Sequence, residues 1–394
     1  MVETPRETWI TGLGIVSSLG EGPDAHWQAL ESGKVHIETA AYAPHIIHPL
    51  APLNFDLQIP KKGDQRQMEP WQRIGTYAAG LALDAAGAKG NAELLGRMDM
   101  IVAAGGGERD LAADSAILSG LPKVSAQEHF LNERLMSDLR PTLFLAQLSN
   151  LLAGNISIVH GVTGSSRTFM GEEGAGADAV RIGFARIQSG QSDIVLVGGA
   201  QNSERKEMLL LYEFAGYNLS GAFEPVWARG AHPGFALGAM GAFLVLENSD
   251  HARARGASGI AKLAAVVTAR SNRKPGDVTM TLGELWDKLS PAGAGAVISG
   301  ATGVDPATSE ERAFLASHPE VAVRATGTHI GHGVEPQFAM NVALAAIALQ
   351  HGRLFATHDP VGFERSDRDV LTNAVVTGVG HWRGEALALV ERID

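Results

Sequence analysis

Apolar runs that stop at glycines punctuate the chain: Trp9-Ile10-Thr11-Gly12, Met100-Ile101-Val102-Ala103-Ala104-Gly105 and Ile194-Val195-Leu196-Val197-Gly198-Gly199. Short runs without polar alternation are the pattern of strands buried on both faces, as in an α/β sheet. Between them the period changes. From Gly174 to Ser189, Ala177, Val180, Phe184 and Ile187 recur at helical spacing, and Gly190 follows as a C-terminal stop. Pro336 to Gln350 predicts a second helix, with Phe338, Val342, Ala345 and Leu349 on one face and Gly352 after it.

The same order of elements occurs twice. Asp99 to Gly107, Arg167 to Gly190 and Asp193 to Gly199 are matched by Gly295 to Gly303, Val321 to His351 and Asn373 to Gly380. This predicts an internally duplicated α/β chain with halves at 1–250 and 251–394. The first copy alone carries an insertion at about residues 108–160, placed to cap a site or build a dimer interface. Related halves would bring two strand-to-helix junctions, near Glu173 and near His332, to a common face. A pocket is expected there, outside strand ends and at helix N-termini.

The composition, 45% apolar and 19% charged over 394 residues, is that of a chain able to bury a large core. A net charge of −11 with only small basic spots, Lys61-Lys62 with Arg66 and Arg270 with Arg273-Lys274, argues against a nucleic-acid partner. Those spots read as solvated loop charges, on which an acidic partner protein could still dock. The opening Met1-Val2-Glu3-Thr4-Pro5 lacks signal-peptide character and no apolar run is long enough to span a bilayer, so a cytoplasmic location is expected. There is no cysteine, which removes disulfides, thiolate metal ligands and thiol nucleophiles together. Gly105-Gly106-Gly107 lacks the Lys-Ser/Thr of a phosphate loop, and no Gly-x-Ser-x-Gly elbow occurs.

Six segments in order carry a resemblance over nearly the whole length. They are Trp9 to Ser17 with Trp27 to Gly33, Asp193 to Ala200, Gly234 to Gly238, Leu244 to Glu247, His251 to Ala257, and Ile330-Gly331-His332. Through them the chain resembles the β-ketoacyl-[acyl-carrier-protein] synthases of the II type. The resemblance implies a thiolase-like fold of duplicated αβαβα five-layer architecture with mixed sheets, dimerising through the strand of the Gly198-Gly199 region. It also implies an active site of one cysteine at a helix N-terminus, two histidines and a supporting lysine.

The aligned positions depart from that set. Ungapped counts from Asn155 to Gly161 forward and from Gly198-Gly199 back both land on Glu173 for the cysteine. Ala301 falls at the first histidine, His332 at the second and Gly327 at the lysine. Ala239 and Met240 replace the acidic residue and glycine of a family motif, the segment from Thr268 to Leu289 is short, and Gly378 to Gly384 replaces the acyl-gate loop, making Val379 and His381 gate positions.

A carboxylate is comfortable at a helix N-terminus but replaces a thiolate poorly, because its acyl anhydride would hydrolyse before a carbon nucleophile arrived. The expectation is a condensation-incompetent subunit, similar to chain-length factors, that pairs with an active synthase paralogue as a heterodimer, or with itself, and meets an acyl carrier protein. Glu173 and His332 are then expected to form a buried carboxylate–imidazole pair. The alternative is a malonyl-carrier-protein decarboxylase or other acyl-processing enzyme using Glu173 and His332. The vacancy at Ala301 weighs against it by about 2.7–4 kcal/mol, the effect of deleting one oxyanion donor. No cofactor is expected. Nor is a metal, since His329 and His332 at i and i+3 lack a third ligand in the sequence.

Overall fold

The computed structural model describes residues 6–139, 143, 147–219, 221–291, 293–366 and 370–393. Met1 to Pro5, on which the leader reading rests, and part of the insertion lie outside the described residues. In chain order the first part contains β1 (Thr8–Ser17), α1 (Pro70–Ala85), β2 (Asp99–Ala103), α2 (Leu151–His160), β3 (Ser166–Phe169), α3 (Glu172–Gln188), β4 (Ile194–Gln201), α4 (Lys206–Phe214) and β5 (Met240–Asn248). The second contains β6 (Ala261–Ala269), α5 (Asp277–Leu289), β7 (Ala296–Ser299), α6 (Ala307–Ala316), β8 (Ala322–Ala325), α7 (Gln337–His351), β9 (Asn373–Val379) and β10 (Glu385–Glu391).

Strand order shows the duplication directly. β3-β2-β4-β5-β1 is repeated by β8-β7-β9-β10-β6, and in each set the first three strands are parallel and the last two antiparallel. The two sets are joined edge to edge where Thr8, Trp9 and Ile10 of β1 pair with Leu263, Lys262 and Ala261 of β6. The strands of both halves therefore form one hydrogen-bonded path, continuous through this three-residue contact.

Side-chain alternation along the strands divides the interior into layers. In β4, Val195 and Val197 face a central core with Ala177 and Val180 of α3 and Val342 and Ala345 of α7. Ile194 and Leu196 face the other way, onto Tyr77 and Leu83 of α1 and Leu152 and Ile156 of α2. In the second half Val297, Val375 and Leu389 back onto Leu282 of α5 and Phe314 of α6. Outer helices, sheet, the α3/α7 pair, sheet and outer helices make the five layers.

Close approach fixes the small residues. α1 lies so near β1 that a Cβ on Gly14 would sit 1.9 Å from the Ala78 carbonyl oxygen. The Gly198-Gly199 strand is β4, hydrogen-bonded to β2 on one side and β5 on the other. It has no free edge and cannot pair with another chain, which corrects the dimer strand expected above; the outer strand of this half is β3. The insertion places helices Leu111–Gly120 and Gln127–Asp138 outside the sheet, with Leu118 and Met136 exposed, while its last part, α2, packs onto α1. No helix among the described residues is long and apolar enough to cross a membrane.

Candidate active site

β3 passes into α3 through a tight turn in which Gly171 has φ 129° and Glu172 φ 52°, left-handed backbone that a non-glycine residue adopts only under constraint. The turn sets Glu173 in the first turn of α3, buried. Its Oε1 accepts from His332 Nε2 at 2.7 Å, His381 Nδ1 at 2.8 Å and the His381 backbone N–H at 3.1 Å. Oε2 is also buried and has no donor among the described residues. Burial by itself would raise the carboxyl pKa, but the two imidazoles outweigh it and hold the group well below the usual carboxylate range.

Each imidazole is fixed by its own element. The segment after α-helical turn Gly327–Ile330 runs strand-like against Gly234 to Gly238: the His332 N–H donates to Ala236 O, and Gly238 N–H donates to His332 O. Phe235 then lies with its ring centroid 5.0 Å from that of His332. His381 sits in the loop after β9, its ring edge-on to Tyr217 at 4.7 Å and Tyr212 at 5.6 Å. The loop is tied at both ends. Arg273 Nη2 donates to Gly380 O at 2.8 Å and Gly384 O at 3.3 Å, and Arg383 Nη2 donates to Glu172 at 3.1 Å. Arg273 also pairs with buried Glu385, so it is a structural tether and not the solvated charge its sequence context suggests. Arg270 and Lys274 remain exposed.

The other predicted positions fall around this centre. Ala301 is buried, offers no side-chain donor, and lies beside Gly327, where a Cβ would come within 2.9 Å of Ala301 O. Below them Glu311 accepts from Ser299 and Thr377 hydroxyls, with no cation among its hydrogen-bond partners in the described residues, and burial raises its pKa. Val379 lines a cavity of about 180 Å³ together with Glu173, Ala177, Thr268, Phe338 and Thr377. His381, placed at the gate by sequence, instead has its ring committed to Glu173. His329 turns away from His332 and meets Lys34 O at 3.2 Å, so the i, i+3 pair does not converge.

Sequence reasoning missed His381 as a partner of Glu173, and missed Glu335. The latter is buried close to Gly105, and burial with the nearby Glu173 and Glu172 charges pushes its carboxyl up to about 7. The signal available for His381 was position: it is the first imidazole after the strand that duplicates β4. Chemically the centre is a desolvated carboxylate saturated on one oxygen by two imidazoles, with no thiol beside it and no side-chain donor at Ala301.

A duplicated five-layer fold with a helix N-terminus and two histidines meeting between the halves defines a thiolase-like scaffold. The chain matches the model of the β-ketoacyl synthase N-terminal domain over residues 6–252 and belongs to that family. It is 26% identical over 375 residues to the tetracenomycin polyketide synthase ketoacyl synthase beta subunit of Streptomyces glaucescens, covering 89% of this chain and 87% of that one. To 3-oxoacyl-[acyl-carrier-protein] synthase 2 of Vibrio cholerae it is 24% identical over 270 residues, 64% of this chain, and spans only 60% of that relative's length. Among solved structures, the ishigamide ketosynthase/chain length factor superposes with a TM-score of 0.80 at 18% identity, over 99% of this chain and 100% of the other.

Proposed function

We propose that this chain is a condensation-incompetent, chain-length-factor-like subunit that completes a dimer with a cysteine-bearing β-ketoacyl synthase in cytoplasmic fatty-acid or polyketide assembly. The observation that carries the reading is the state of Glu173: the nucleophile position holds a carboxylate whose Oε1 takes both imidazoles as donors. Neither the attacking group nor the free histidine pair of a condensing site is present. A chain of 394 residues without cysteine cannot supply the thiolate elsewhere. The tied loop from Gly380 to Gly384 further supports a site that does not open for acyl transfer.

A partner is supported by the β3 edge. Ser166 and Arg167 are exposed on a strand paired only with β2 among the described residues, and Met170 and Ile158 nearby are exposed apolar side chains. Such an edge pairs readily with another strand. Exposed Arg270 lines the cavity, and Lys274 lies near it in sequence, as positive charges for an acidic carrier protein. Co-expression with a cysteine-bearing synthase encoded nearby is expected to yield a stable 1:1 complex. A soluble homodimer that never mixes overturns the subunit reading. Carbon dioxide release from malonyl-carrier-protein by this chain alone, abolished by Glu173→Gln or His332→Ala, would establish the decarboxylase alternative instead.

A further inference from the structure

Glu173, His332 and His381 come from three distant parts of the chain, yet their ligand atoms all lie within 4.8 Å of one another and all three residues are buried. Two imidazole nitrogens and one carboxylate oxygen form a donor set of intermediate softness. That set suits Zn²⁺ and its neighbours in the first transition row and suits Mg²⁺ or Ca²⁺ poorly. A second observation points the same way: Glu173 Oε2 is fully buried and has no donor among the described residues, an electron-rich atom in want of a positive partner. Its surroundings are small, since a Cβ on Gly380 would lie 3.2 Å from it.

We propose that Glu173, His332 and His381 bind a single divalent transition-metal ion, with zinc the best match. Zn–N bonds of about 2.0–2.1 Å and Zn–O bonds of about 2.0–2.2 Å in tetrahedral geometry place neighbouring ligand atoms roughly 3.3 Å apart. The nitrogens now stand 2.7 and 2.8 Å from Oε1, so each ring moves outward by about half an ångström, within the freedom of a side-chain torsion. Binding puts the ion in place of the proton that each ring now directs at Oε1: a neutral ring carries that proton on its other nitrogen instead, a charged ring releases one to solvent, and the carboxylate is free to present either oxygen. The rings around His381, from Tyr212, Tyr217 and Phe235, hold the loop in place for the ligand. Of the three ligands, Glu173 also lines the cavity of about 180 Å³, from which solvent or a small oxygen ligand would supply the fourth position. The proposal concerns binding alone and stands or falls independently of the dimer partner.

The test uses the full chain, stripped with a chelator and titrated with Co²⁺ as a spectroscopic stand-in for Zn²⁺. The expected result is a tetrahedral visible absorption saturating at one ion per chain, displaced by Zn²⁺ and unaffected by excess Mg²⁺. Glu173→Gln, His332→Asn and His381→Asn should each weaken binding by at least about 100-fold, above the 10–100-fold seen for outer-shell partners alone. His129→Gln, on the exposed insertion, should leave the titration unchanged. Circular dichroism establishes that the variants are folded. A variant that does not fold is replaced in the comparison by the wild-type melting temperature, which Zn²⁺ but not Mg²⁺ should raise. No tetrahedral band and no zinc-dependent shift in the folded wild-type chain overturns the proposal and leaves the three side chains as a closed hydrogen-bonded network. In that event the 1:1 complex with a synthase remains a separate question with its own readout.

Discussion

The contact between Glu173 and His381 is measurable as a coupling free energy. Replacing His381 by Phe keeps the ring among Tyr217, Tyr212 and Phe235, at centroid distances of 4.7, 5.6 and 5.7 Å, while removing the Nδ1 donor. The backbone N–H to Oε1 bond at 3.1 Å is retained. Against the ionised carboxylate the lost bond costs about 1.5–3 kcal/mol, whereas against the neutral amide of Glu173→Gln it costs about 0.5–1.5 kcal/mol. The double-mutant cycle is therefore expected to show a coupling of about 1–2 kcal/mol. Urea unfolding at one fixed protein concentration, with chelator present, reads it from four proteins. A coupling below about 0.5 kcal/mol, the range of independent sites, would refute the buried charge-assisted contact and with it the account of why the site is locked.

On the proposed reading, a thiol at position 173 alone should not give condensation: Glu173→Cys is expected to become alkylable by iodoacetamide yet form no carbon–carbon bond, because Ala301 and Gly327 offer no side-chain donor; measurable condensation by that variant contradicts the site reading. Arg273→Ala should release the Gly380 to Gly384 loop, seen as new protease cleavage between 380 and 384, and unchanged protection would show that the tether is not Arg273. Gly14→Ala drives a Cβ to 1.9 Å from Ala78 O and should destabilise by about 1–3 kcal/mol or more through displacement of α1, read by a lower urea midpoint. Acid should also destabilise the fold. Burial lowers His26 from 6.5 to about 4, so the unfolded chain takes the proton first. The neutral-histidine contribution is complete above pH 6.5 and is lost as pH falls toward 4, up to about 3 kcal/mol. His160 and His329, each lowered to about 4 by burial, add to this limb. Glu364, raised to about 7 by burial, has the opposite slope, its contribution being lost as pH rises from 4.5 through 7. His26→Gln should flatten the acid limb, and an unaltered limb removes His26 from the account.

Sequence alone determined the local elements and their repetition. The apolar runs before Gly105 and Gly199 and the helices before Gly190 and Gly352 are written in side-chain period, which acts over a few positions. Glycine stops only the helices: β1 runs on through Gly12 to Ser17 and β4 through Gly199 to Gln201. Counting between anchors assigned the family's cysteine position to Glu173 as an expectation, and the duplication argued that His332 would face Glu173. The 2.7 Å contact between them agrees. Tertiary structure alone decided what closes around that pair. His381 reaches Glu173 across 208 positions, and Arg273 reaches Gly380 across 107. Likewise the edge role passed from the Gly198-Gly199 strand to Ser166–Phe169, because strand order is settled by pairing between distant segments. Those contacts depend on how whole layers stack, a property of the packed chain that no local period encodes.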